Sequence, residues 1–181
     1  MSAGRLIAVV GPSGVGKDSV MDALSGAAPA FRRVRRTITR APHLGGEDFD
    51  PLTPDEFDRA VARGAFCLHW AAHGLRYGIP ATVLDETRAG ADCLANLSRD
   101  ALPRAAGIFP RLLVMNITAA PDVLARRLAG RGRESADEIA LRLGQASKPL
   151  PPGLEVVTIS NDGSLEQTVA QALAALLPER A

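Results

Sequence analysis

Leu6-Ile7-Ala8-Val9-Val10-Gly11-Pro12-Ser13-Gly14-Val15-Gly16-Lys17-Asp18-Ser19 is the stretch whose reading decides the fold. Five apolar residues in a row suit a strand buried on both faces of a parallel sheet. The run ends at a glycine, and Ser19 through Leu24 then read as a helix. Strand, glycine-rich turn and helix form the context in which GxxxxGK marks a phosphate-binding loop. Glycines allow successive backbone N–H groups to point inward, the helix N-terminus adds partial positive charge, and Lys17 reaches the terminal phosphates. Gly11, Pro12, Ser13, Gly14, Val15, Gly16, Lys17, Asp18 and Ser19 are therefore the expected nucleotide-binding residues. The position after the lysine usually holds a Mg²⁺-ligating Ser or Thr and here holds Asp18.

Composition sharpens that reading. Among 21 basic residues only Lys17 and Lys148 are lysines, so a lysine at this position stands out against an arginine-rich background. The 181 residues suit one domain that buries roughly 70% of its extended-chain surface. A net charge of +1 argues against a broad nucleic-acid-binding face. No apolar leader stands at the N-terminus, and no apolar run approaches the roughly 18 residues of a membrane span. Cys67 and Cys93 share no metal-type spacing and read as buried thiols of a reducing compartment. The expectation is a cytoplasmic enzyme with a small-molecule substrate and neither nucleic-acid nor membrane partner. Oligomeric state is not legible, and a homodimer stays open.

Further along, Arg32 to Arg40 reads as one basic strand. Thr53-Pro54-Asp55-Glu56 opens a helix with a capping box and proline at its first position. Phe66–Ala72 and Leu75–Gly78 are short strands, and Pro80 to Arg88 is a helix. Asp92–Leu97, Leu112–Ile117 and Leu154–Ile159 are apolar strands separated by helical stretches. Ser135 with Glu138, and Ser164 with Gln167, cap two later helices. This alternation predicts an α/β fold with a parallel sheet of about five strands, around Val9, Thr37, Leu94, Val114 and Val157, flanked by helices. Ligands then sit at the carboxyl ends of the strands. The core spans 1–39 and 91–181, residues 40–80 form a substrate-binding insertion, and 126–142 form a lid.

A phosphate loop alone says only that a nucleotide binds. The turn Arg126-Arg127-Leu128-Ala129-Gly130-Arg131-Gly132-Arg133, with Arg142 one helix later, points to phosphoryl transfer. Arginine forks clamp the charge that spreads over the transferred group, and a glycine-hinged turn can close them over it.

On Gly11–Lys17, Thr37–Pro42, Gly46-Glu47, Phe66–Gly78, Arg127–Gly132 and Asn161-Asp162 the chain resembles the guanylate kinase family over nearly its whole length. That resemblance implies a P-loop NTPase-type, guanylate-kinase-like fold using ATP and Mg²⁺. It departs where that family reads guanine. His69 replaces a base-reading Glu before Trp70, Asn96 replaces a second carboxylate, and His43 replaces a phosphate-binding Arg. An extra residue also precedes Glu47. Losing both acceptors leaves guanine N–H donors unpaired, at roughly 1–3 kcal/mol each.

With Lys17-Asp18-Ser19 and His73–Pro80, these departures resemble the ribose 1,5-bisphosphate phosphokinase family of bacterial phosphonate breakdown. That resemblance implies ATP-dependent phosphorylation of the 1-phosphate of ribose 1,5-bisphosphate to 5-phosphoribosyl 1-diphosphate. Lys17, Arg131 and Arg142 are then the catalytic groups, and Arg36, Arg40, Glu47, His69, Tyr77 and Asn96 the substrate-binding ones. Asp18 is the candidate metal ligand. The rival readings are guanylate kinase or another small phosphate or sugar kinase, and, from another class, a non-catalytic kinase-like interaction domain.

Overall fold

The structure is a computed structural model that describes residues 2–146 and 148–177. The first half of the chain runs β1 (Leu6–Val10), α1 (Lys17–Ala27), β2 (Phe31–Arg33), β3 (Thr37–Ile38), β4 (Asp50–Pro51), α2 (Pro54–Ala62), β5 (Phe66–Ala72), β6 (Leu75–Pro80) and α3 (Ala81–Arg88). The second half runs β7 (Asp92–Asn96), α4 (Leu102–Ile108), β8 (Leu112–Thr118), α5 (Pro121–Gly130), α6 (Ala136–Ala146), β9 (Val156–Ser160) and α7 (Leu165–Leu176). A 3₁₀ turn, Arg99–Ala101, leads into α4.

Five parallel strands make the main sheet in the order β2-β7-β1-β8-β9. β1 lies at its centre with all five residues buried. Alternation along the strand divides those residues between two cores. Leu6, Ala8 and Val10 pack with Trp70, Tyr77 and Ile79 of the second sheet, whereas Ile7 and Val9 pack with Val20, Met21 and Leu24 of α1 and Val169 of α7. Each such apolar side chain contributes about 1.5–3 kcal/mol on burial, which is why the sequence needs an uninterrupted apolar run here. The strand ends at the phosphate loop, so the loop is anchored on the most buried element of the fold.

The second sheet, β4-β3-β6-β5, is mixed: β3 and β6, and β6 and β5, run antiparallel, while β3 and β4 run parallel. β5 and β6 form a hairpin whose two turn residues, His73 and Gly74, both have positive φ. That geometry matches the twist of paired strands. The capping boxes at Thr53–Glu56, Ser135–Glu138 and Ser164–Gln167 are all formed.

One sequence expectation changes. Arg32 to Arg40 is not a single strand, and the fifth strand of the main sheet is Phe31–Arg33 rather than a strand at Thr37. The Val34 N–H still donates to Leu94, but two residues later the Arg36 carbonyl accepts from Asp50 and Thr37 pairs with Gly78. The chain thus crosses between sheets at Arg35. Its basic residues gave no local signal of the crossing, because a basic run has the same pattern on one strand or two.

Both cysteines are free, Cys93 buried and Cys67 half-buried, and burial pushes both thiols up to about 11. Among the described residues no helix is long and apolar enough to cross a membrane.

Candidate active site

The loop between β1 and α1 closes on itself through the Val15 N–H, which donates to the Pro12 carbonyl at 3.2 Å. Gly16 caps α1 in a left-handed conformation, φ 94°, and a Cβ there would lie 2.9 Å from the Asn161 amide nitrogen. Only glycine meets both demands. Lys17 Nζ donates to the Gly11 carbonyl at 2.7 Å, so the ammonium arches over the loop it follows. Burial pulls its pKa down to about 8, with the nearby Arg36 and Arg99 guanidiniums acting in the same direction and Asp18 opposing them.

Two side chains from the far end of the sequence support the loop from outside. Asn161 Nδ2 donates to the Val15 carbonyl at 2.7 Å, and Asn161 Oδ1 accepts from the Thr168 hydroxyl at 2.5 Å. Arg127 Nη1 donates to the same Val15 carbonyl at 3.3 Å, and its Nη2 donates to the Asn161 carbonyl at 2.7 Å. The sequence placed both residues in recognisable motifs without showing that they brace the loop. Only folding joins them to Val15.

Asp18 lies in the first turn of α1, where a carboxylate is favoured by the helix dipole. Its Oδ1 accepts from Arg33 Nη2 at 2.8 Å, and the same guanidinium donates to the Asp18 carbonyl and pairs with Asp22. Burial, followed by the nearby Glu47 charge, raises the Asp18 pKa despite that pairing. Ser19, one position on, is exposed.

Across the loop, the second sheet with its flanking segments and the end of β7 supply the predicted substrate-binding residues. Arg36 grips Glu47 with two hydrogen bonds, Nε to Oε1 at 2.7 Å and Nη2 to Oε2 at 2.5 Å, and both side chains are more than nine-tenths buried. The third arm of the guanidinium, Nη1, donates to the Asn96 carbonyl at 3.1 Å, tying the insertion to the end of β7. The Arg36 guanidinium also lies 4.7 Å over the Tyr77 ring, which stacks on Trp70 at 5.4 Å. Arg36, Glu47, Tyr77 and Asn96 therefore form one layered cluster held mainly by their own contacts. Arg40 differs. It stacks at 5.4 Å over Phe49 and makes no ion pair among the described residues. Gly45 (φ 87°) makes room for it, since a Cβ there would sit 2.7 Å from Arg40 Nη1.

His69 is adjacent to Trp70 on β5, and alternation sends it to the opposite face. There it meets Phe57 of α2 edge-on at 6.4 Å, while its carbonyl accepts from Arg104 at 2.5 Å. Burial, with Arg104 and Arg76 nearby, lowers its pKa. The structure does not bring the His69 ring together with Trp70, Tyr77 and Arg36. On the lid, Arg131 ends α5 exposed, and Arg142 of α6 pairs with Glu134 at 3.1 Å. Neither makes a hydrogen bond with the phosphate loop among the described residues.

The site thus couples a phosphate loop with the buried Arg36, the half-buried Lys17 and Arg127, and an arginine-bearing turn between α5 and α6. An AAA-domain family profile matches residues 6–148. A ribose 1,5-bisphosphate phosphokinase PhnN of Ruegeria sp. is 51% identical over 180 residues, covering 98% of this chain and 94% of that protein. The protein of that name from Agrobacterium fabrum is 47% identical over 175 residues, covering 93% and 95%. The chain belongs to the ribose 1,5-bisphosphate phosphokinase family. Within that family the fold is the one also seen in guanylate kinase from Anaplasma phagocytophilum, at a TM-score of 0.72 over 97% of this chain and 85% of that one. Sequence identity between the two is 19%. The architecture is thus shared although most side chains differ.

Proposed function

We propose that this member of the family transfers the γ-phosphoryl group of ATP to the 1-phosphate of ribose 1,5-bisphosphate, yielding 5-phosphoribosyl 1-diphosphate and ADP. The names of its relatives support the reading, and one observation in the site carries it independently. The buried carboxylate on the acceptor side, Glu47, is closed off bidentately by Arg36, and the end of β7 offers the amide Asn96 in place of a carboxylate. Among the described residues a purine bearing N–H donors finds no free carboxylate there, whereas an anionic acceptor finds Arg40 without an ion pair.

An acceptor phosphate is already anionic near neutral pH, so its oxygen attacks Pγ without a general base. The new bond joins that oxygen to Pγ as the bond from Pγ to the β-bridging oxygen breaks, and ADP carries away the released charge. The work left for the protein is positioning and electrostatics. Lys17 leaves the Gly11 carbonyl to follow the moving phosphoryl group, Arg40 holds the acceptor phosphate, and Arg131 and Arg142 close from the lid. Arg142 must first part from Glu134.

Among the described residues no cluster of three or more metal-ligating side chains exists. That fits a Mg²⁺ carried mainly by polyphosphate oxygens, whose role is to neutralise charge on the β- and γ-phosphates. Asp18 Oδ2 makes no hydrogen bond among the described residues and is the protein oxygen that would hold it.

The decisive experiment is ADP release from Mg·ATP with ribose 1,5-bisphosphate and GMP offered in parallel. Turnover with the sugar bisphosphate alone is the expected result. Turnover with GMP alone would overturn the assignment.

A further inference from the structure

A cavity of about 400 Å³ opens between the phosphate loop, the turn after β7, the end of β8 and the end of α6, lined in part by Pro12, Arg99, Asn116, Leu143, Lys148 and Leu150. This volume is within the roughly 300–1,000 Å³ usual for small-molecule sites. Two of its lining residues each carry an anomalous atom. Arg99 Nε and Asn116 Oδ1 are buried, and neither makes a hydrogen bond among the described residues. Arg99 is otherwise held by one bond, from Nη1 to the Gln145 carbonyl at 3.2 Å. Buried polar atoms are nearly always paired, and an unpaired one is costly. Both belong to residues that line the same cavity, so a ligand seated there lies beside a donor and an acceptor and can pair with them once the side chains turn.

The chemistry of that partner follows from the lining. Arg99 and Lys148 bring two positive charges, and among the described residues no acidic side chain lines the cavity. The Arg99 guanidinium is near enough to Lys17 to disfavour its proton. An anion bound at Arg99 therefore lies within electrostatic reach of the reacting phosphoryl. Asn116 Oδ1 can only accept, so it suits a hydroxyl, and Leu143 and Leu150 suit the C–H edge of a sugar ring.

We infer that this cavity seats the sugar phosphate end of the acceptor, with Arg99 binding its non-reacting phosphate and Asn116 a ring hydroxyl. The inference rests on the acceptor proposed above. It gives Arg40 and Arg99 different phosphates: Arg40 holds the one that is phosphorylated, and Arg99 the one that only anchors. Nothing in the sequence singled out Arg99, because it lies outside every recognisable motif.

The test compares the wild-type chain with Arg99→Gln and Asn116→Leu in steady-state kinetics with Mg·ATP and ribose 1,5-bisphosphate, alongside melting temperatures. For Arg99→Gln the KM for the sugar bisphosphate should rise at least tenfold while the KM for ATP stays within twofold. Asn116→Leu should give a smaller rise, several-fold, in the same constant. Asn116→Leu should keep its melting temperature, because it removes an unpaired buried atom. Arg99→Gln also gives up the bond to the Gln145 carbonyl and should melt slightly lower, so the split between the two KM values is what separates binding from a structural role. An unchanged KM for the sugar bisphosphate in both variants overturns the inference, as does a rise confined to the KM for ATP. Absence of sugar turnover in the wild-type chain would instead remove the function on which the inference rests. If Arg99→Gln fails to fold, Asn116→Leu decides.

Discussion

Asn161 Nδ2 donates to the Val15 carbonyl at 2.7 Å, joining the phosphate loop to a turn 146 residues away. The carbonyl is on the outer side of the loop, so this bond acts on loop shape rather than on phosphate. Asn161→Ala removes it together with the Thr168 bond to Oδ1. The Thr168 hydroxyl keeps the Ser160 and Ser164 carbonyls as acceptors, and Arg127 keeps its bonds to the Val15 and Asn161 main-chain carbonyls. A stability loss of about 1–3 kcal/mol is expected in urea denaturation. The dissociation constant for ATP should rise about tenfold, since an unbraced loop must be ordered by its ligand at a cost near 1.4 kcal/mol. Unaltered ATP affinity in a destabilised protein would reduce Asn161 to a purely structural residue.

The Arg36–Glu47 pair offers a second test, because removing one partner and removing both have opposite consequences. Glu47→Gln leaves a buried guanidinium without its counter-charge and should cost about 3–5 kcal/mol. The double substitution Arg36→Met with Glu47→Leu removes both charges and should recover most of that loss. Activity should not recover with it, since Tyr77 and Asn96 lose the side chain that joins them. Single and double variants of equal stability would mean that the two residues act separately.

How much of this site could be read in advance depends on how far apart its partners lie in the chain. The phosphate loop is contiguous, and its glycines, lysine and flanking strand carry the whole signal within fourteen residues. The caps at Thr53, Ser135 and Ser164 were legible for the same reason: each rule spans three or four positions. The crossing at Arg35 was not legible, because its cause lies in Leu94, Asp50 and Gly78, which capture successive backbone groups. Arg36, from its charge, and Glu47, from resemblance, were expected as substrate-binding residues, yet their mutual pairing is a product of the second sheet. His69 shows the limit of motif matching. Its position next to Trp70 suggested a substrate contact, and strand alternation carries the ring to Phe57 instead. Arg33, Arg99 and Arg127 could not be told from an arginine-rich background until folding gave each a partner or, for Arg99, left an atom without one.

Asp18 is held to Arg33 through Oδ1 while Oδ2 makes no hydrogen bond among the described residues, so metal binding and ion pairing need not compete. Asp18→Ala should raise the Mg²⁺ concentration for half-maximal activity several-fold, at fixed ATP held above saturation. Arg33 keeps Asp22 as a partner in this variant, so the fold should persist. An unchanged Mg²⁺ profile would assign Asp18 to the helix dipole and Arg33 alone.

Lys17 should make ATP capture depend on pH in a definite direction. Burial holds its pKa near 8, against 10.5 for an exposed lysine. In the unliganded chain its charge is therefore lost as pH rises through about 8. kcat/KM for ATP reports the free enzyme and should fall with unit slope above that value. Polyphosphate bound beside the ammonium raises its pKa, so kcat should hold to higher pH. Stability runs the other way. Between about pH 8 and 10.5 the unfolded chain keeps a proton that the folded chain has released, so Lys17 makes the fold more stable as pH rises. The two thiols oppose this above about pH 9, because their folded pKa values stand near 11 against 9.0 for exposed cysteine. The Lys17 share is therefore read as the difference between wild type and Lys17→Met, followed by urea denaturation from pH 7 to 10. That difference should be largest at pH 7, with the variant the more stable, and should shrink as pH climbs. A difference independent of pH would mean that Lys17 keeps its proton throughout, and the fall in kcat/KM would then need another titrating group.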